Sequence, residues 1–236
     1  MKVVVSQPMY FPWIGIFEQM LLADVFVHYD DVQYPQGRSF ISRVKIAKSP
    51  DTMWLTVPIK KQDKVNISQT TIDYSQSWQA KHLKSFAHFY AKAPFREDAL
   101  QLVEDVFRFK DADLASLNIR AVEAVAKYFS IKTKTLRSSS LAALGASSDR
   151  LINIVKATGG SQYVTGHGAK KYLQHEQLEE NGISVEYMNY ENKAYPQWDN
   201  TFISHMSILD LIAYKGHSGI ECIVSKTIHW REFING

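Results

Sequence analysis

The chain has 236 residues, 45% of them hydrophobic and 12% aromatic, which is enough apolar surface for a substantial core and excludes disorder as its resting state. A formal net charge of +3 lacks the clustered basic excess of a nucleic-acid surface, and no apolar run approaches the roughly 20 residues of a membrane span. Val3-Val4-Val5 gives way at once to Ser6 and Gln7, too short a core for a signal peptide, and a single cysteine, Cys222, excludes an internal disulfide and a zinc-finger set.

A soluble, cytoplasmic protein is the expectation. Short β-branched and aromatic runs predict buried strands at Val3 to Ser6 and Val25 to Tyr29. Between them Ile14, Phe17 and Leu21 recur at helical spacing, giving strand, helix and a parallel second strand. Ser39 to Ile46 alternates, with Phe40, Val44 and Ile46 on one side and Arg43 and Lys45 on the other. Met53 to Ile59 follows as a strand, and residues 47–52 have the turn chemistry of a hairpin loop. From Ser77, a predicted N-cap, the pattern turns helical: one helix to about Ala91, a second over Arg96 to Phe109, and a third marked by Leu114, Leu117, Ala121, Val125 and Tyr128.

The remaining segments alternate. Ile131 to Leu136 reads as extended, Asp149 to Ala157 as a helix closed by Gly159-Gly160, Gln162 to Thr165 as a strand, and Ala169 to Leu173 as a helical turn. Ile183 to Met188 is a strand, and Ser207 caps a helix that ends before Gly216. The fold class is α/β: a mixed or mostly parallel sheet within one domain over residues 1–236, with a helical layer or subdomain at 77–130.

Open α/β sheets bind ligands at the carboxyl edge of their strands, which directs attention to the segments that follow them. After the first strand come Gln7, Pro8, Tyr10, Phe11, Pro12 and Trp13, a poor recipe for regular structure. After the second come His28, Asp30 and Asp31, then Gln33. A carboxylate there serves as a general base or accepts a sugar hydroxyl, while Asp also simply closes strands. Arg38, Arg43 and Lys60 are candidates for gripping phosphate or carboxylate, and the hairpin is expected to bring them near Asp30 and Asp31. Thr165-Gly166-His167-Gly168 places His167 between a strand and a helical turn as a candidate acid, base or ligand. Gln197, in Tyr195-Pro196-Gln197-Trp198, suits hydrogen bonding to a sugar and equally suits pinning a loop. Cys222 reads as a small core residue. No set of His and carboxylates at ligand spacing implies a metal, and no particular cofactor is implied.

The run Gln7-Pro8-Met9-Tyr10-Phe11-Pro12-Trp13-Ile14-Gly15, with Asp30-Asp31-Val32-Gln33-Tyr34, resembles the opening of the WbqC-like family. The likeness continues through Tyr163-Val164-Thr165-Gly166, Tyr172-Leu173, Gly182-Ile183, Tyr195-Pro196-Gln197 and Ser207 to Leu211. Members have a Ser-Gly-x-Gly-type turn where this chain has Thr165-Gly166-His167-Gly168, and often Asn at Lys215, so His167 is this chain's own feature.

Such proteins occur in gene clusters for O-antigen and related surface polysaccharides, and glycine transfer onto a sugar has been suggested for one of them. The resemblance therefore implies an acyl- or aminoacyltransferase whose partners are a sugar or nucleotide-sugar and an acyl or aminoacyl donor. In that reading Asp30, Asp31 or His28 is the base, Arg38, Arg43 and Lys60 grip phosphate, and Gln7, Tyr10 and Gln197 orient the sugar. Two other readings stay open. One is a nucleotidyltransferase-like enzyme, although Pro12-Trp13-Ile14-Gly15 stands where a His-x-Gly-His pair is needed. The other is a non-catalytic sugar-binding or accessory protein.

Overall fold

A computed structural model describes residues 1–236 apart from 38, 49–50 and 199–200. The chain opens as anticipated: β1 (Lys2–Ser6), α1 (Ile14–Leu22) and β2 (Val25–His28), with β1 and β2 parallel and Val3 opposite Val25. The buried face of α1 is Ile16, Phe17 and Met20, whereas Leu21 is exposed, so the apolar stripe is turned from the one expected. The hairpin β3 (Arg43–Lys48) and β4 (Asp51–Thr56) follows. Its strands pair only with each other, forming a separate two-stranded sheet. Val44 and Ile46 are buried while Arg43 and Lys45 are half-buried, as the alternation predicts. Within the anticipated loop, residues 49–50 lie outside the described part.

Three helices come next: α2 (Trp78–Phe89), α3 (Arg96–Phe107) and α4 (Leu114–Tyr128). Ser77 flanks α2 but makes no capping hydrogen bond; Trp78 instead anchors the first turn, packed edge-on against Phe107 at 5.2 Å. Asp113, not singled out from sequence, is the true cap of α4, accepting from the Ser116 amide at 2.8 Å. Then β5 (Lys134–Arg137), α5 (Ser147–Ala157), β6 (Gln162–Thr165), α6 (His175–Glu180), β7 (Ser184–Tyr190), α7 (Ile208–Lys215), β8 (Ser225–His229) and α8 (Trp230–Asn235) complete the chain. Ser207 caps α7 as expected, accepting from the Leu209 amide at 3.2 Å. At Gly216 the backbone turns left-handed (φ 55°) and any Cβ would lie 2.6 Å from the Phe95 ring.

The main sheet runs β5-β2-β1-β6-β7-β8, parallel except for the antiparallel edge strand β8. Alternation sorts its residues onto two helical layers. Val4, Phe26, Val164 and Met188 join α1, α3, α4 and α7 in one core. Val3, Val5, Val25, Val27, Tyr163 and Val185 join α5, α6 and α8 in the other. The architecture is thus a doubly wound α/β sheet with a hairpin and a block of helices on one face. Cys222 is a buried core residue. Among the described residues no helix is long and apolar enough to cross a membrane.

Candidate functional site

From β1 the chain leaves through α1 on one face of the sheet, and from neighbouring β6 it leaves through α6 on the other. The two connections part above the carboxyl ends of β1 and β6, which is where this topology opens a crevice. A cleft of about 530 Å³ lies there, within the range of small-molecule sites. Ser6, Gln7, Met9 and Trp13 come from the β1–α1 segment, Ile16 and Gln19 from α1, and Tyr29 from the end of β2. Gly166, His167 and Tyr172 follow β6, Tyr190 ends β7, and His205 precedes α7.

The irregular run 7–13 is held by specific partners. Asn118, fully buried on α4, donates to the Pro8 carbonyl at 2.9 Å and the Ile41 carbonyl at 2.8 Å. Ser207 donates its hydroxyl to the Phe11 carbonyl at 3.0 Å, and Phe11 takes a left-handed φ of 38° that these contacts stabilise. The Trp13 ring packs at 4.9 Å from Tyr190 and 4.7 Å from His205. Only glycine fits at position 15, because a Cβ would lie 2.3 Å from the Trp13 ring.

His167 faces the cleft with its ring fixed. Its Nε2 is 2.6 Å from the Met188 carbonyl oxygen, and a carbonyl only accepts, so Nε2 carries the proton. In the neutral ring Nδ1 therefore keeps its lone pair, the arrangement a general base requires. The ring also packs against Tyr190 (5.1 Å) and Phe233 (4.7 Å). Gln19 donates to the Tyr190 hydroxyl at 3.0 Å. Next to it in α1, Glu18 is buried with one carboxylate oxygen unpartnered, and burial followed by the charge of Glu191 pushes its pKa up to about 7. His205 has its pKa lowered by burial and then by Lys45.

Of the residues anticipated from sequence, Gln7 and His167 line this cleft. Tyr10 points into the core, its hydroxyl 3.0 Å from His82 Nδ1, while one edge of it and Arg43 line a second, smaller pocket. Gln197 is buried against α7: its Nε2 donates to Asp210 at 2.7 Å and its Oε1 accepts from the Ile203 amide at 2.6 Å. This is loop pinning, one of its two anticipated uses. Gln33 and Lys60 are exposed and pair through their backbones near Asn66 and Thr71. Arg38 lies outside the described residues.

The acidic pair after β2 is built differently from expectation. Asp30 is fully buried; one oxygen accepts from the Ser138 hydroxyl and the Ser139 amide, both at 3.0 Å, and the other accepts from the Ser139 hydroxyl at 2.7 Å. Asp31 lies 2.5 Å from the Ser138 hydroxyl and forms an ion pair with Arg150 of α5. His28 is buried with neither ring nitrogen partnered, and burial, then the charge of Arg137, lowers its pKa to about 4 despite Asp30. The expected cationic neighbours from the hairpin are replaced by Arg137 and Arg150, because β5 is the strand that flanks β2 and the hairpin forms its own sheet. Among the described residues no group of His, Cys, Asp and Glu side chains assembles as metal ligands.

Sequence reasoning missed Gln19, Tyr29, Tyr172, Tyr190 and His205 as cleft residues. His205 adopts a left-handed φ of 59°, and no neighbouring residue type signals this. The Gly166 position carries a readable sign only in retrospect: a Cβ there would sit 3.1 Å from the Tyr190 hydroxyl.

The fold and cleft together define a doubly wound α/β protein with an open cleft at its switch point. A profile of the WbqC-like protein family matches residues 7–222, and the chain belongs to that family. A protein of Mycobacterium tuberculosis, Rv1507c, itself described only as uncharacterized, is 30% identical over 215 residues, covering 89% of this chain and 92% of that one. No solved structure matches the chain significantly.

Proposed function

We propose that the protein is a transferase that forms an amide on an amino sugar carried by a nucleotide, in the assembly of a surface polysaccharide, with the switch-point cleft as the acceptor site. The observation that carries this reading is His167, whose Met188 contact leaves Nδ1 as a base beside a ring-lined cleft. Trp13, Tyr29 and Tyr172 offer faces for a base or sugar ring to stack on, and the half-buried Gln7 amide offers hydrogen bonds to sugar hydroxyls.

The sugar amine attacks the acyl carbon of the donor, the nitrogen passes a proton to His167 Nδ1, and the leaving group departs with the bonding electron pair. Asp30, Asp31 and His28 support the strand end in this scheme, and the base is His167.

Thermal shift against nucleotide-linked amino sugars, nucleotides and unlinked sugars tests it. A selective rise in melting temperature with an amino-sugar nucleotide supports the acceptor assignment. Stabilisation by nucleoside triphosphate and magnesium, with no response to amino-sugar nucleotides, would overturn it.

A further inference from the structure

A second pocket, of about 200 Å³, adjoins the cleft between residues 9–13 and the β3–β4 hairpin. At about 30 Å³ per water, it holds a group the size of roughly six or seven waters. Met9, Pro12, Trp13 and Phe40 supply apolar walls, yet Arg43 and Lys45 also line it. Neither cation has an ion-pair partner among the described residues. The Arg43 guanidinium lies over the Trp54 ring at 4.1 Å, and its Nε is buried without a hydrogen bond. Among the described residues Lys45 hydrogen-bonds only the neutral Ser204 carbonyl, at 3.3 Å. Phe40, 54% exposed, packs edge-on against Trp54 at the rim.

Two half-buried cations with no ion-pair partner among the described residues, set in an apolar recess, lose hydration that one ring face and one carbonyl replace only in part. An anion with an apolar body restores it, and a planar guanidinium held by a ring face suits carboxylate or phosphate oxygens. The recess and the cleft share Met9, Trp13 and His205. Groups bound on the two sides therefore lie on either side of the Trp13–His205 contact.

We infer that this recess binds an apolar group bearing a single carboxylate or phosphate, and, resting on the transferase reading above, that this group is the acyl donor.

Calorimetric titration of the whole protein with phenylacetate, phenyl phosphate and neutral benzyl alcohol tests the inference. Both anions are expected to bind at least about ten-fold more tightly than benzyl alcohol, and Arg43→Gln or Lys45→Gln should each weaken them by about ten-fold. Phe40→Ser should weaken all three probes, which provides a second variant should either charge substitution unfold the protein. The stronger of the two anions identifies the donor's charged group. Equal binding of benzyl alcohol, or anion affinity unaffected by every substitution, overturns the site. So does displacement of phenyl phosphate by a nucleotide-linked amino sugar, which places the anion in the cleft. The nucleotide-linked sugar is titrated alone in parallel. Anion binding without sugar binding leaves the recess standing and removes the acceptor reading, and the converse removes the recess alone.

Discussion

Two regions along one edge of the sheet, the end of β2 and the ends of β1 and β6, carry polar residues in opposite surroundings. Beyond β2, Asp30, Asp31 and His28 are covered: the Ser138-Ser139 turn caps one carboxylate, Arg150 pairs the other, and His28 meets no polar partner. Beyond β1 and β6, Gln7 and His167 face a cleft, with only one nitrogen of His167 engaged. The difference comes from where the chain goes next. β5 lies beside β2 in the sheet, and the turn after β5 closes over the carboxylates, whereas the connections from β1 and β6 diverge to opposite faces. A buried carboxylate with its acceptors filled fixes structure; a histidine with one filled position and one lone pair has chemistry left to do.

The sharpest break in this comparison is functional. His167→Ala should lower turnover by about 10²–10⁴-fold with nucleotide-sugar affinity changed only slightly. A loss confined to KM would make His167 a binding residue.

Next in size is stability at the closed end. Asp30→Ala leaves the Ser139 hydroxyl and amide without their acceptor and should cost on the order of 3 kcal/mol by urea denaturation. The folded protein should keep its turnover. Loss of turnover at unchanged stability would restore Asp30 to the chemistry.

pH separates two buried groups of opposite sign. His28 has a folded pKa of about 4, below its unfolded value near 6.5, so its contribution is complete above that value and is lost as pH falls from about 6.5 to 4. His28→Leu should therefore gain on the parent over that window, by roughly 2–3 kcal/mol. Glu18, raised to about 7 from an unfolded 4.5, loses its contribution as pH rises through that interval, and Glu18→Gln should gain by a similar amount, roughly 2–3 kcal/mol, towards pH 8. Parallel stability curves for parent and variant would contradict either assignment.

The smallest effect lies inside the cleft. Gly166→Ala has an ordinary negative φ but crowds the Tyr190 hydroxyl, so it should weaken the nucleotide-sugar by only about three-fold, under 1 kcal/mol, without unfolding the protein. An unchanged affinity would mean that the ligand does not use this wall.

The order of elements was largely readable. Helical spacing placed α1 and α4 and alternation placed the hairpin, whereas β1, β2 and β6 were read from short β-branched and aromatic runs because both of their faces lie in a core. By contrast β8 and α8 were not read: Ser225–His229 is an antiparallel edge strand with no fully buried residue, so its sequence lacks a clear period.

At the site, Gln7 and His167 were legible because they directly follow buried strands. Tyr190 and His205 were not: Tyr190 ends β7 and His205 sits in the segment before α7, both far in sequence from the β1–α1 run they face. The surroundings of Asp30 and Asp31 were not legible, because their partners are 107 to 119 residues away and nothing local reports them.

Hydrogen–deuterium exchange with and without a nucleotide-linked amino sugar tests the central contrast most directly. The account predicts slowed exchange in peptides covering residues 7–13 and 166–172, with residues 28–31 and 137–140 unchanged. Protection concentrated at 28–31 and 137–140 would place the ligand at the carboxylates and contradict it.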